Sequence, residues 1–324
     1  MSEHGFETEG LAKSFGKVTA LDGVSVAVPR GQVHGLLGPN GAGKTTVIRI
    51  LATLLRPDSG RASVAGFDVV RQPGRVRGRI AWSGQHTSVD EELTGLANLV
   101  MIGRLLDLPR PRARLRAGEL LARFGLEEAA GRPVAGYSGG MRRRLDLAAS
   151  MVGHPEVVFL DEPSVGLDPG KRDELWQLIR GLRADGVTVL LTTQYLEEAD
   201  ALADAVTVID HGRVIASGTP AELKRQVGGH TIVVRVDDPA DTGTAAAVLA
   251  DVADRTPERS SRHELVVPVA GAEDFFEITA RLREHRVAVS ELSLRLPSLD
   301  EVFLALTGAP GTTANDPHEP TKAA

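Results

Sequence analysis

Along the first 220 residues, short apolar runs alternate with stretches in which apolar positions recur every three or four residues. The runs Ala20 to Val28, Gln32 to Leu37, Arg79 to Trp82, Val157 to Leu160, Thr188 to Thr192 and Ala205 to Ile209 predict strands. Gly43 to Leu54, Leu96 to Leu106, Arg112 to Phe124, Gly140 to Val152, Lys171 to Ala184 and Leu196 to Leu202 predict helices. Such alternation predicts an α/β fold around a mainly parallel sheet. From about Gln85 to Pro133 it stops and helix follows helix, with Leu96, Leu99, Val100 and Gly103 on one face. That stretch reads as a helical insertion, spanning about 86–155 with the segment that follows it.

Past Lys224 the pattern changes, with Gly228 and Gly229 as a flexible joint. Strands are predicted over Thr231 to Val236, Leu265 to Val269 and Val287 to Leu294, and helices over Thr244 to Val252 and Phe275 to Glu284. A further strand near Ala253 to Glu258 completes β-α-β-β-α-β, a small ferredoxin-like α+β unit. Leu299 to Leu306 predicts a short closing helix, and the Pro-, Gly- and Thr-rich tail 308–324 is expected to be disordered. The domains so predicted are 1–226 and 227–307.

Composition narrows the function classes. At 324 residues the chain can bury a sizeable core, and its net charge of −6 does not suit a general nucleic-acid binder. It has no cysteine, which excludes disulfides and thiolate metal sites. The start MSEHGFETEG is too polar for a secretory signal, and no run of ~18 apolar residues offers a membrane span. Six of the 37 basic residues are Lys, an Arg bias that fits a high-GC bacterial genome.

The strongest chemical signal is GPNGAGKTT, comprising Gly38, Pro39, Asn40, Gly41, Ala42, Gly43, Lys44, Thr45 and Thr46. It fits G-x-x-x-x-G-K-S/T, follows an apolar strand and opens a helix. Glycines let the backbone turn its N–H groups toward phosphate oxygens, and the helix N-terminus adds positive potential. Lys44 is placed to neutralise β- and γ-phosphates and Thr45 to offer a hydroxyl to Mg²⁺. A site of this kind needs a metal carboxylate at the end of a neighbouring buried strand. Val157 to Leu160 supplies the strand and Asp161 the carboxylate, acting directly or through water. Glu162, next along, is the candidate to orient or deprotonate the attacking water.

Between these sites stands YSGGMRRRLDLAASMVGHP, Tyr137 to Pro155. The segment resembles the signature of ATP-binding-cassette (ABC) ATPases, and the other elements of that family occur in order from about Glu7 to Gln226. The resemblance implies that Phe15 stacks on adenine and that Gln85 joins the γ-phosphate and Mg²⁺ to the helical insertion. It makes SVGLDP, with Asp168, the D-loop, and LTTQYLEEAD, with Gln194, the switch segment. Ser138 is a natural N-cap, and Gly139 and Gly140 leave helix N–H groups open to an anion. In the family such a segment binds the γ-phosphate held by a second copy, head to tail, so that two ATP molecules lie between two cassettes. By themselves the same residues make a plain helix cap, and Arg142, Arg143 and Arg144 a solvated helix face. Phe15 by itself reads as core, and His34, His86, His154 and His211 as surface or polar-turn residues without metal spacing.

Three departures point to one branch: the signature is YSGGM, the D-loop has Gly166, and Gln194 replaces the switch histidine. With RLPSLDEVFLALTG, Arg295 to Gly308, they resemble the daunorubicin/doxorubicin-resistance ATPases, whose C-terminal appendage serves assembly or regulation. The resemblance implies the ATPase subunit of an exporter, peripheral on the cytoplasmic face of the cell membrane. It binds ATP and Mg²⁺, and separate membrane subunits carry a hydrophobic drug, antibiotic or amphipath. The alternatives are a soluble ABC ATPase acting on nucleic acid or ribosomes, and an importer ATPase. A single cassette without basic extensions argues against the first, and the strand–helix appendage against the barrel-type appendage of many importers.

Overall fold

The computed structural model describes residues 3–84, 89–226, 230–269, 271–295 and 298–307. The chain divides into two compact units, Met1–Pro220 and Ala221–Ala324. The first contains β1 (His4–Phe15), β2 (Val18–Pro29), β3 (Val33–Leu37), α1 (Lys44–Leu51), β4 (Ser59–Val64), β5 (Phe67–Asp68), α2 (Pro73–Arg77) and β6 (Ile80–Ser83). It continues with α3 (Gly95–Leu105), α4 (Arg110–Arg123), α5 (Gly139–Ser150), β7 (Val157–Asp161), α6 (Pro169–Ala184), β8 (Thr188–Thr193), α7 (Leu196–Leu202), β9 (Ala205–Asp210) and β10 (Arg213–Gly218).

A six-stranded sheet ordered β10-β9-β3-β8-β7-β6 is parallel apart from the β10–β9 pair. Its central strands β3, β7 and β8 are buried along their whole length because both faces are covered, and they are accordingly rich in Val and Leu. Successive residues alternate between two cores. Val157, Phe159 and Leu190 face α1 and the sheet β2-β1-β4-β5. Val158, Leu160, Val189 and Leu191 face α5, α6 and the helical insertion. Phe159 meets Phe6 of β1 edge-on at 6.2 Å, which seats the antiparallel sheet on the parallel one.

The helices begin where their sequences supply caps. The side chains of Thr94, Ser138 and Asp168 accept from the amides of Ala97, Met141 and Lys171 and so open α3, α5 and α6. In α3, Leu99 and Gly103 are buried and Leu96 and Val100 pack against the core, so the expected inward face is real.

The antiparallel sheet was only partly foreseen: β1, β4 and β5 are not among the predicted strands, nor is β10 at the edge of the six-stranded sheet. In β1 the alternation of buried and exposed positions breaks at Gly10, where the pairing register with β2 shifts. A half-solvated strand with an irregularity lacks the continuous apolar run that marks β3 or β7.

The second unit contains α8 (Pro220–Gln226), β11 (His230–Val236), α9 (Thr242–Ala253), β12 (Glu258–Arg259), β13 (Glu264–Val269), α10 (Ala272–Glu284), β14 (Val289–Arg295) and α11 (Leu299–Thr307). Its antiparallel sheet runs β12-β13-β11-β14, with α9 and α10 contributing to one core. This is the ferredoxin-like order. The strand expected over Ala253 to Glu258 is shorter and later, because α9 continues to Ala253 and ends with Asp254 at φ 51°. The predicted joint at Gly228 and Gly229 and the tail 308–324 lie outside the described residues.

Candidate active site

Parallel pairing carries the site residues to one edge of the sheet. Leu37, just before Gly38, stands opposite Thr193, just before Gln194. Asp161 stands opposite Thr192, and Ser83 opposite Leu160. Segments far apart in sequence thereby share the carboxyl ends of β3, β8, β7 and β6, where α/β sheets bind their ligands.

The loop between β3 and α1 has its crest, Pro39, Asn40 and Gly41, exposed, while Ala42, Gly43 and Lys44 are buried. Gly43, at φ 108°, is the residue from which α1 starts. A Cβ there would lie 2.6 Å from the Ala20 carbonyl oxygen and 2.7 Å from Leu21, so the position admits only glycine. The Lys44 ammonium donates to the carbonyl oxygens of Gly38 at 2.6 Å and Pro39 at 3.1 Å. Burial lowers its pKa, and the charges of Glu162 and Asp161 oppose that shift. Thr45 and Thr46 are half-buried in the first turn of α1.

Asp161 is buried at the end of β7. Its Oδ1 accepts from the Thr192 hydroxyl at 2.6 Å, and its Oδ2 from that of Thr45 at 3.4 Å. Glu162 adopts a left-handed backbone, φ 51°, and its amide donates to the Thr192 carbonyl at 3.0 Å. Thr192 therefore holds the Asp161 carboxylate and the backbone of Glu162. It was not among the expected site residues, and nothing distinguishes its sequence position from any polar strand end.

Ser138, Gly139 and Gly140 form a second constellation at the start of α5. Gly139 opens onto free space, whereas a Cβ on Gly140 would lie 2.7 Å from the aliphatic stem of Lys171. The Lys171 ammonium pairs with Asp168, so the segments of Gly140 and Asp168 meet through this lysine. Tyr137 is buried, and its hydroxyl donates to the Ala129 carbonyl at 2.7 Å.

The arginines after the signature are not a solvated face. Arg142 donates to the Ala135 carbonyl and pairs with Glu91, and Arg144 stands 3.9 Å from Glu174. Arg143 is largely buried and donates to the carbonyls of Gly84 and Pro163, both at 2.9 Å. Its burial lowers its pKa, opposed by the charges of Asp146, Glu198 and Asp161. Glu198, in α7, is fully buried and accepts from the Trp176 indole at 3.2 Å. Desolvation raises its pKa. Three adjacent arginines read as surface because sequence does not show what packs above a helix.

Phe15 is 48% exposed at the end of β1, so it is no core residue and is available for stacking. Gln194 is exposed immediately after β8. Gln85 and His86 lie outside the described residues. His34 corrects its surface assignment. It is 3% exposed because β3 is covered on both sides, and its Nε2 lies 2.9 Å from the Thr207 hydroxyl. Among the described residues no helix is long and apolar enough to cross a membrane.

Residues 21–165 match the ABC transporter family, and residues 218–307 match the C-terminal domain of DrrA1-3-like ATP-binding proteins. The chain is 54% identical over 310 residues to the daunorubicin resistance ATP-binding protein DrrA2 of Streptomyces coeruleorubidus, covering 95% of this chain and 96% of that one. It is 51% identical to the daunorubicin/doxorubicin resistance ATP-binding protein DrrA of Streptomyces peucetius, covering 94% and 92%. Among solved structures, cbiO1 of Clostridium perfringens, part of the ABC transporter complex cbiONQ, superposes with a TM-score of 0.64 at 27% identity. That match covers 70% of this chain and 95% of the other. These relatives give no support to a soluble nucleic-acid or ribosome factor. The chain is a nucleotide-binding ATPase whose hydrolysis is coupled to transport, and ATPases of this kind generally pair with membrane subunits and dimerise. The chain belongs to the ATP-binding subunits of ABC transporters, in the branch of the daunorubicin/doxorubicin-resistance proteins.

Proposed function

We propose that this chain hydrolyses Mg²⁺-bound ATP between two copies of itself and so drives export of a hydrophobic drug or similar amphipath. Separate membrane subunits, on whose cytoplasmic side it sits, would carry the substrate. The carrying observation is the strand register that sets Lys44, Thr45, Asp161, Glu162 and the Gln194 segment at one sheet edge. Lys44 takes the β- and γ-phosphates in exchange for its two carbonyl acceptors, and the amides of the loop 38–43 cradle the phosphate chain. Phe15 stacks on the adenine.

The Thr45 hydroxyl and Asp161 carboxylate offer the hard oxygen ligands that suit Mg²⁺. When bound, Mg²⁺ supplies charge neutralisation at the phosphates. Glu162 orients or deprotonates the attacking water, with Gln85 and Gln194 at the γ-phosphate. Ser138, Gly139 and Gly140 close over the ATP of the other copy, with Asp168 beside them. The C-terminal domain expected over 227–307 serves assembly or regulation.

Purifying the tagged full-length chain from its native membranes tests this reading. A multi-span membrane protein should co-purify. Inside-out vesicles holding the complex should accumulate doxorubicin only with ATP, and Lys44→Ala should abolish the uptake. Recovery as a lone soluble ATPase, with no ATP-dependent uptake, would overturn it.

A further inference from the structure

Arg143 stands on α5, the helix that Ser138 caps, and its side chain is 13% exposed. Its Nε donates to the carbonyl oxygen of Pro163 and a terminal nitrogen to that of Gly84, each at 2.9 Å. The same terminal nitrogen stands 3.7 Å from Asp146, which is itself buried and accepts from the Ser83 hydroxyl at 2.7 Å. One guanidinium thus spans three separate pieces of chain: the end of β6, the signature helix and the exit from β7. Gly84 precedes Gln85 in the chain, and Pro163 follows Glu162.

Glu162 is a non-glycine residue in the left-handed region, φ 51°. Such a conformation persists only where its surroundings hold it. On one side the Glu162 amide is tied to the Thr192 carbonyl at 3.0 Å. On the other, the Pro163 carbonyl is tied to Arg143. Releasing the second tie frees the backbone that aims the Glu162 side chain.

We propose that Arg143 is a positioning residue for hydrolysis, a clamp from α5 that sets the backbone beside Glu162. The proposal rests on the functional reading above and adds to it a mechanical link. Movement of the helical insertion reaches the hydrolytic carboxylate of the same chain through this guanidinium. The planar fork matters as well as the charge, because two carbonyls are held at once along different N–H directions.

The test uses the full-length chain with Arg143→Lys and Arg143→Met. Turnover is measured against ATP concentration, nucleotide affinity by direct titration, and folding by thermal melting. Lys keeps a positive charge opposite Asp146, but a single ammonium does not reproduce the fork. Both variants should lose roughly 10- to 100-fold in kcat, the scale expected when a reacting group is misplaced by about 1 Å. Nucleotide affinity should stay within about threefold, since neither the phosphate loop nor Asp161 is touched. Wild-type kcat in Arg143→Lys would overturn the proposal and leave only charge balance. Equal losses of affinity and kcat would overturn it in favour of a scaffold role. If Arg143→Met fails to fold, Arg143→Lys decides the matter by the same criteria. An unmodified chain that neither binds nor hydrolyses ATP would instead bring down the functional reading, and this proposal with it.

Discussion

The ammonium of Lys44 donates to the carbonyl oxygen of Gly38 at 2.6 Å, across the loop that joins β3 to α1. The lysine and its loop therefore hold each other in shape. A phosphate reaching the loop offers Lys44 a charged acceptor in place of a neutral one, which strengthens the bond.

Lys44→Ala removes that contact. A hydrogen bond to a charged group is worth ~1.5–3 kcal/mol, so ATP affinity should fall by roughly 10- to 150-fold. Titration with a fluorescent ATP analogue measures it, and unchanged affinity would remove Lys44 from the phosphate site.

Glu162→Gln keeps the left-handed turn and leaves Asp161 and Thr192 paired. It should bind ATP normally and lose ~10²–10⁴-fold in turnover, because the attacking water loses its base or orienting group. Single-turnover hydrolysis separates the chemical step from binding. Near-normal rates would exclude Glu162 from that step.

If the Lys44 loop of one copy and the Ser138 segment of the other enclose the same ATP, Lys44→Ala and Ser138→Arg chains should each be inactive. Mixed, they should regain some activity, since a heterodimer rebuilds one composite site. ATPase assays on mixtures shown to contain heterodimers decide this, and no recovery would argue against shared sites.

Gln194 offers an amide N–H₂ where the family pattern has histidine, and it does not protonate near neutral pH. If its role is a hydrogen bond felt only in the transition state, Gln194→Ala should cost roughly 10- to 150-fold in turnover. Gln194→His should stay active, with a new pH dependence near ~6.5. An Ala variant with an unchanged rate would leave Gln194 without a catalytic role.

His34 makes stability depend on pH. Burial lowers its pKa from 6.5 to about 4. As pH falls below 6.5 the unfolded chain takes up this proton and the folded one does not, so stability is full above 6.5 and declines toward pH 4. The loss from this residue is about 3 kcal/mol. Urea denaturation at pH 7 and pH 4.5, repeated on His34→Gln, should show a smaller loss in the variant. Identical pH slopes would contradict the assignment.

The sequence alone determined the features encoded in contiguous residues. The runs Gln32 to Leu37 and Val157 to Leu160 announce buried parallel strands because strands covered on both faces are predominantly apolar. The nine residues from Gly38 to Thr46 announce a phosphate loop because backbone curvature and a helix start are both local properties. The ferredoxin-like order of the second unit was also legible from the alternation of its strands and helices, although its two-residue strand β12 was expected too early because α9 runs on to Ala253. Tertiary structure decided what depends on residues far apart. Thr192 is an ordinary strand residue until β8 pairs with β7 and brings it to Asp161. Arg143 reads as one of three surface arginines until α5 packs against the ends of β6 and β7. His34 reads as a polar residue until Thr207 of β9 arrives beside it. In each case the deciding quantity is burial together with a partner remote in sequence, and pairing across a sheet creates both at once.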